Sequence, residues 1–215
     1  MLKTKKQGLF MVISGPSGAG KGTICKKLIE DNKNIWLSIS MTTRGKREGE
    51  IDGKDYFFVS KEEFEDKINN NAFLEYAKVH SNQYYGTLKD KVFEHLNNGE
   101  DVILEIDIQG ALQIKNMYSE GLFIFIMPPT MKELKKRLIK RGTETKEKVL
   151  ERFKKAYQEI NELSKYNYVV VNDEVELATK KIEAIMLAEK CRVDRIEEVD
   201  LYNSEEEIHE SLVDK

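Results

Sequence analysis

No stretch of this sequence approaches the ~20 consecutive apolar residues of a membrane-spanning helix. The apolar run near the start, LFMVIS, breaks at Gly15-Pro16 and is also too short for the apolar region of a signal peptide. Cysteine is scarce. Cys25 and Cys191 are the two present, too far apart for metal-site spacing, so a reducing cytoplasm and ordinary packing roles are expected for both. Histidine is equally thin: His80, His95 and His209 are scattered, no Ser/His/Asp triad or metal cluster emerges, and surface or structural roles are expected. Nor does one sign of charge dominate. Charged residues make up 34% of the chain yet leave a net charge of -3, which argues for neither a nucleic-acid binder nor a membrane-surface protein. There is no internal repeat, and the only biased segment is the C-terminus, where residues 196–215 set eight acids against Lys215 alone. Without that tail the net charge of -3 becomes +4, a mildly basic body suited to anionic substrates. The tail itself reads as a helix extension fading into disorder.

What is there is a steady alternation of strand and helix patterns over 215 residues with 40% hydrophobic content, enough for one core but not for two large domains. Strand patterns are LFMVIS from Leu9, IWLSIS from Ile35, YFFVS from Tyr56, FLEYAKV from Phe73, DVILEID from Asp101, LFIFIM from Leu122 and YVVVN from Tyr168. Helical patterns lie between them, the longest being KEKVLERFKKAYQEINELSKY. The alternation predicts an α/β fold, a mostly parallel sheet with helices on both faces. The runs from Asp101 and Leu122 are nearly continuous in apolar residues, as central strands buried on both sides require. By contrast Ser38 to Thr87 is polar and turn-rich, which marks an inserted substrate-binding subdomain at 38–87. A second insertion is expected at 130–159, where two highly charged helices meet at Gly142. The core then comprises 8–37, 88–129 and 160–195, with the tail at 196–215.

The most specific signal is Gly15-Pro16-Ser17-Gly18-Ala19-Gly20-Lys21-Gly22-Thr23, with a strand before it and a helix after it. Glycines let consecutive N–H groups turn inward onto phosphate oxygens, and the helix start adds partial positive charge. Lys21 supplies a cation for the β- and γ-phosphates. In the general pattern Ser or Thr follows the lysine directly and holds Mg²⁺ through its hydroxyl. Here Gly22 stands at that place and Thr23 comes one residue later. Mg²⁺ is therefore expected to be held mainly by nucleotide phosphates and water, near Thr23 and Asp107. Gly-Lys-Gly-Thr is also similar to the loop of adenylate kinases, so the loop alone suggests a nucleotide kinase without naming its acceptor.

Further segments narrow the reading: SMTTRGKREGE from Ser40, DGKDYFFV from Asp52, FLEYA from Phe73, YYGT from Tyr84, EIDIQG from Glu105 and RGTE from Arg141. Together with the loop they resemble guanylate kinase, from about Gly8 to about Lys190. The resemblance implies the P-loop NTPase fold with a mixed-sheet GMP-binding insertion and a helical lid. It also implies ATP-dependent phosphorylation of GMP, and of dGMP, in purine nucleotide metabolism, with ATP, GMP and Mg²⁺ as the partners and neither a nucleic acid polymer nor a membrane among them. Arg44, Arg47, Tyr56 and Tyr85 match the family's phosphate-binding positions, where arginines and tyrosine hydroxyls clamp a dianion. Glu75 matches its guanine-reading carboxylate. Guanine presents two adjacent donors, N1–H and the 2-amino group, whereas adenine offers an unprotonated N1 and leaves a buried carboxylate unpaired. Ser40 and Thr87 match hydroxyl-bearing base contacts, and Glu105 a further acidic one. Asp107, at the end of a buried strand, suits Mg²⁺ and its waters, but also helix capping.

Arg137 and Arg141 lie four residues apart, hence on one helix face, and Arg152 lies on the next helix. The resemblance makes these the lid arginines that reach the transferring phosphoryl group, with Lys21 and Arg44 completing the catalytic set. Asn172, after the last strand, matches the adenine-side loop. Two rival readings remain at this stage: another nucleoside monophosphate kinase, favoured by Gly-Lys-Gly-Thr, and a non-catalytic guanylate-kinase-like interaction module, disfavoured by an intact loop and lid arginines.

Overall fold

The structure, a computed structural model, describes residues 2–4, 7–79, 82–140 and 146–199. In chain order the strands are β1 (Leu2–Thr4), β2 (Phe10–Ser14), β3 (Ile35–Leu37), β4 (Met41–Thr42), β5 (Phe57–Phe58), β6 (Phe73–Val79), β7 (Gln83–Leu88), β8 (Asp101–Glu105), β9 (Leu122–Met127), β10 (Tyr168–Val171) and β11 (Ile196–Val199). The helices are α1 (Lys21–Asp31), α2 (Lys61–Asn69), α3 (Lys89–Asn97), α4 (Ile108–Met117), α5 (Met131–Lys140), α6 (Lys146–Ile160) and α7 (Val175–Lys190).

The central sheet runs β10-β9-β2-β8-β3, every neighbouring pair parallel. Its apolar runs are continuous because both faces are covered. Along β2, Met11 and Ile13 pack with Ile24, Leu28, Ile182 and Met186 beneath α1 and α7. The intervening Val12 packs with Val92, Leu96, Ala111 and Ile114 beneath α3 and α4. β8 alternates the same way, with Ile103 on the first face and Val102 and Leu104 on the second. Parallel strands aligned in this manner bring their C-terminal ends to one edge of the sheet, where open α/β folds bind ligands.

The insertion forms a second sheet in the order β5-β4-β7-β6. It is mixed: β4 and β5 are parallel, while β4 with β7 and β6 with β7 are antiparallel. A small aromatic core holds it against α2, Phe64 stacking on Phe73 at 4.4 Å and on Tyr84 at 5.2 Å between ring centroids. α5 and α6 form the charged second insertion and close over Leu134, Leu138 and Ala156.

Several local expectations are corrected. IWLSIS is not a single strand: β3 ends at Leu37 and β4 begins just beyond the segment, at Met41. Ser38 N–H donates to Ile103 O at 2.8 Å in the central sheet, whereas Ser40 O already accepts from Phe57 N–H at 2.9 Å in the insertion. The chain changes sheets between them. The pattern from Lys146 ends its α-helix at Ile160 and continues as a 3₁₀ turn over Asn161–Lys165. Cys25 is a core residue as expected, but Cys191 is exposed at the end of α7. The tail begins as strand β11, not helix, pairing antiparallel with β1 from Leu2 opposite Val199; residues 200–215 lie outside the described set, as do His80 and His209. His95 is structural, stacked on Trp36 at 4.0 Å. Among the described residues no helix is long and apolar enough to cross a membrane.

Candidate active site

β2 ends at Ser14 and α1 begins at Lys21, so the six residues between them must reverse direction in little space. Gly15, Gly18 and Gly20 do this with φ of 141°, 90° and 95°, values that L side chains rarely adopt. At Gly20 contact forbids a side chain as well, since a β-carbon would stand 2.2 Å from Asn172 Nδ2. No side chain caps α1 and no acid lies in its first turn, which leaves its N-terminal amides and dipole to an anion. Lys21 Nζ donates to Gly15 O at 2.6 Å and Pro16 O at 3.4 Å. Burial lowers its pKa, opposed by the carboxylates of Glu105, Glu159 and Asp107 among others.

Asn172, following β10, is buried and donates from Nδ2 to Ala19 O at 2.7 Å. Arg137 of α5 donates to the same carbonyl at 3.4 Å and to Asn172 O at 3.1 Å. Arg152 of α6 donates to Ser17 Oγ. Both α5 and α6 thus reach the glycine-rich loop, and Leu134 and Leu138 crowd Gly18. Arg141 lies outside the described residues. Thr23 is exposed on the first turn of α1. Gly22 lets that turn approach Glu105, whose carboxylate oxygens are 3.4 Å from where a β-carbon would be.

On the acceptor side Glu75 of β6 is only 7% exposed, and its Oε1 accepts from Thr87 Oγ1 at 2.8 Å. Burial pushes its carboxyl up to about 7, with the negative charge of Asp107 adding to the effect and the Thr87 hydroxyl opposing it. Gly110 makes room for it: a β-carbon there would stand 2.7 Å from Glu75 Oε2. Asp107 caps α4, accepting from Gly110 N–H at 2.9 Å, so the capping role foreseen for it is real and ties α4 to the same place. Ser40 is half-buried at the crossing between the sheets.

Arg44 is buried, and its guanidinium is held on every side. It forms a two-pronged pair with Glu50 at 2.9 and 2.7 Å, and donates to Gly45 O at 2.8 Å and Tyr85 Oη at 3.2 Å. Its central carbon lies 5.1 Å from the Tyr56 ring and 5.5 Å from the Phe58 ring. Tyr56 and Tyr85 meet edge to face at 5.9 Å. Arg47 is exposed nearby. The structure therefore gathers Arg44, Tyr56 and Tyr85 as the sequence predicts, but gives most of the Arg44 donors to protein groups.

Three residues were missed. Glu50 looks like any solvated acid of a charged loop. Gly110 resembles an ordinary helix glycine. Glu159 faces Lys21 and the Ser17 N–H, with burial raising its carboxyl above its usual range. Its spacing of seven residues from Arg152, two turns along one face, was the available clue.

Known proteins of similar sequence and fold identify the family. A family model described as guanylate kinase matches residues 7–189. Guanylate kinase of Clostridium tetani is 65% identical over 209 residues, covering 97% of this chain and 100% of that protein. The guanylate kinase of Caldanaerobacter subterraneus subsp. tengcongensis is 59% identical over 207 residues, covering 96% and 100%. A crystal structure of guanylate kinase from Anaplasma phagocytophilum superposes with a TM-score of 0.74 at 35% identity, covering 90% of this chain and 92% of that one. A family match over residues 7–189 and a relative 65% identical over 97% of the chain show that the chain belongs to the guanylate kinase family.

Proposed function

We propose that this chain transfers the γ-phosphoryl group of ATP to GMP, and to dGMP, giving ADP and the nucleoside diphosphate by direct in-line attack, as a cytoplasmic step of purine nucleotide metabolism. The observation that carries the reading is Glu75, buried, bonded to Thr87 and seated against Gly110. A desolvated carboxylate selects the base that offers it two adjacent donors and rejects one that does not.

The phosphate loop would hold the ATP phosphates on backbone amides with Lys21 as counter-charge. Phosphoryl transfer asks for positioning and charge neutralisation more than covalent chemistry. Arg137 and Arg152, tied to the loop, and Arg141, four residues after Arg137 in the sequence, would supply the positive charge; Arg44 would orient the acceptor. Ser40, Thr87 and Glu105 would contact the base, and Arg47, Tyr56 and Tyr85 the acceptor phosphate. Among the described residues no group of three or more His, Cys, Asp or Glu side chains could hold a metal ion by itself. A Mg²⁺ would be carried by nucleotide phosphates and water near Thr23 and Asp107, where it would neutralise phosphate charge.

The test is ADP formation from ATP and Mg²⁺ with GMP, dGMP, AMP, CMP or UMP as acceptor, repeated with Glu75→Gln. Turnover with GMP that the variant loses is expected. Turnover with AMP would favour another nucleoside monophosphate kinase, and ATP binding without turnover the interaction module.

A further inference from the structure

Arg44 should be the main cation for an acceptor phosphate, yet all but one of its guanidinium N–H donors are already taken by protein. Nε–H goes to Tyr85 Oη, the two Nη1–H groups to Gly45 O and Glu50 Oε2, and one Nη2–H to Glu50 Oε1. Glu50 does more than pair with it. Its Oε2 also accepts from Arg47 N–H at 2.8 Å, while Glu50 N–H donates to Arg47 O at 3.2 Å. One carboxylate thus closes the turn that carries the second arginine and fixes the guanidinium of the first. Its side chain is 19% exposed and that of Arg44 8%, so the pair is shielded enough to hold its geometry.

We propose that Glu50 is a positioning residue for the acceptor phosphate, aligning Arg44 and the Arg47 turn so that the remaining Nη2–H of Arg44 and the O–H of Tyr85 are set toward a phosphomonoester. Tyr85 Oη accepts from Arg44 Nε, which leaves its own hydrogen to donate elsewhere. The inference rests on the reading that these residues hold the acceptor's phosphate. It also opposes a simple electrostatic expectation, because Glu50 subtracts a positive charge from the clamp and its removal should, on charge alone, tighten anion binding.

The opposition makes the experiment decisive. Binding of GMP and of guanosine to the full chain is measured by calorimetry for wild type, Glu50→Gln, Glu50→Asp, Arg44→Met and the double variant, alongside the Michaelis constant for ATP. Loss of charge-assisted bonds of this kind corresponds to roughly 10- to 100-fold weaker GMP binding in Glu50→Gln. Guanosine and ATP should be unaffected, Glu50→Asp should recover part of the loss, and Glu50→Gln should add nothing to Arg44→Met. Unchanged or tighter GMP binding in Glu50→Gln would overturn the proposal, as would equal losses for GMP and guanosine, the mark of a merely structural role. Wild-type protein that binds GMP no better than guanosine would instead sink the acceptor-phosphate reading itself. If Glu50→Gln fails to fold, the Glu50→Asp and Arg44→Met arms still decide: full GMP binding in both overturns the positioning role.

Discussion

On the proposed reading, the phosphate loop and the acceptor side would hold anionic or polar groups by different physical means. Around the loop the ligand-facing groups are backbone amides, and what the sequence must supply is freedom to bend: glycines at positive φ and one lysine close behind. In the acceptor pocket they are side chains held under desolvation, Glu75 beneath Thr87 and Gly110, Arg44 between two aromatic rings and Glu50. A backbone site is specified by a short run of residue types. A side-chain site depends on partners brought from several elements, so its energetics are stored in burial and can be titrated.

That contrast can be broken most forcefully on the loop side. Lys21→Met should lower kcat by roughly 10³ or more, the scale on which removing a charge-stabilising group slows phosphoryl transfer. GMP binding should be unchanged by calorimetry, and a parallel loss would show that the two sites are not separate.

Glu75 gives the next largest effect and a sharper one. Folding raises its carboxyl to about 7, so between its unfolded value and 7 the native state binds more protons than the unfolded chain. Stability conferred by the protonated form is present at acid pH and is lost as pH rises through about 7. In Glu75→Gln the penalty is gone, so at pH 8 the variant should be more stable than wild type by on the order of 2 kcal/mol, a rise in Tm of about 5 °C. The gap should close at pH 5 in thermal melts. Guanosine binding to wild type should weaken as pH falls below 7, as the carboxylate takes up its proton; guanosine carries no phosphate to titrate in that range. A stability gap that is the same at both pH values would remove desolvation from the account.

The smallest expected change is at Gly110→Ala. The new methyl would press on Glu75 Oε2 from 2.7 Å, and Thr87 and burial leave that carboxylate little room to yield. Steady-state kinetics should show a rise in the GMP Michaelis constant of about tenfold, the worth of one displaced buried hydrogen bond, with the ATP constant unaltered. Equal effects on both substrates would point to a shift of α4 rather than of Glu75.

The same division separates what was legible in the sequence. β2, β8 and β9 stand out because strands buried on both faces must be apolar throughout. β7 does not, since Gln83-Tyr84-Tyr85-Gly86-Thr87 mixes polar with aromatic residues; it is seen only as part of a motif. The break after Leu37 was hidden for another reason: IWLSIS keeps a strand's alternation while its hydrogen bonds pass from one sheet to the other. The pairing of β1 with β11 joins segments nearly the full chain apart, and local composition around Ile196 points only to charge.

By itself the sequence determined the parallel α/β core, the glycine-rich loop between its first core strand and the helix after it, and the set of residues that resembles guanylate kinase. These rest on local rules: periodicity fixed by burial, and glycine where the backbone must take positive φ. Only the tertiary structure decided that Glu50 rather than solvent meets Arg44, that Gly110 gives Glu75 its place, and that Asn172 and Arg137 converge on the Ala19 carbonyl. Each of these is a contact between a charged or polar group and a partner from a distant or bent segment, and its strength comes from the loss of water that folding alone brings about.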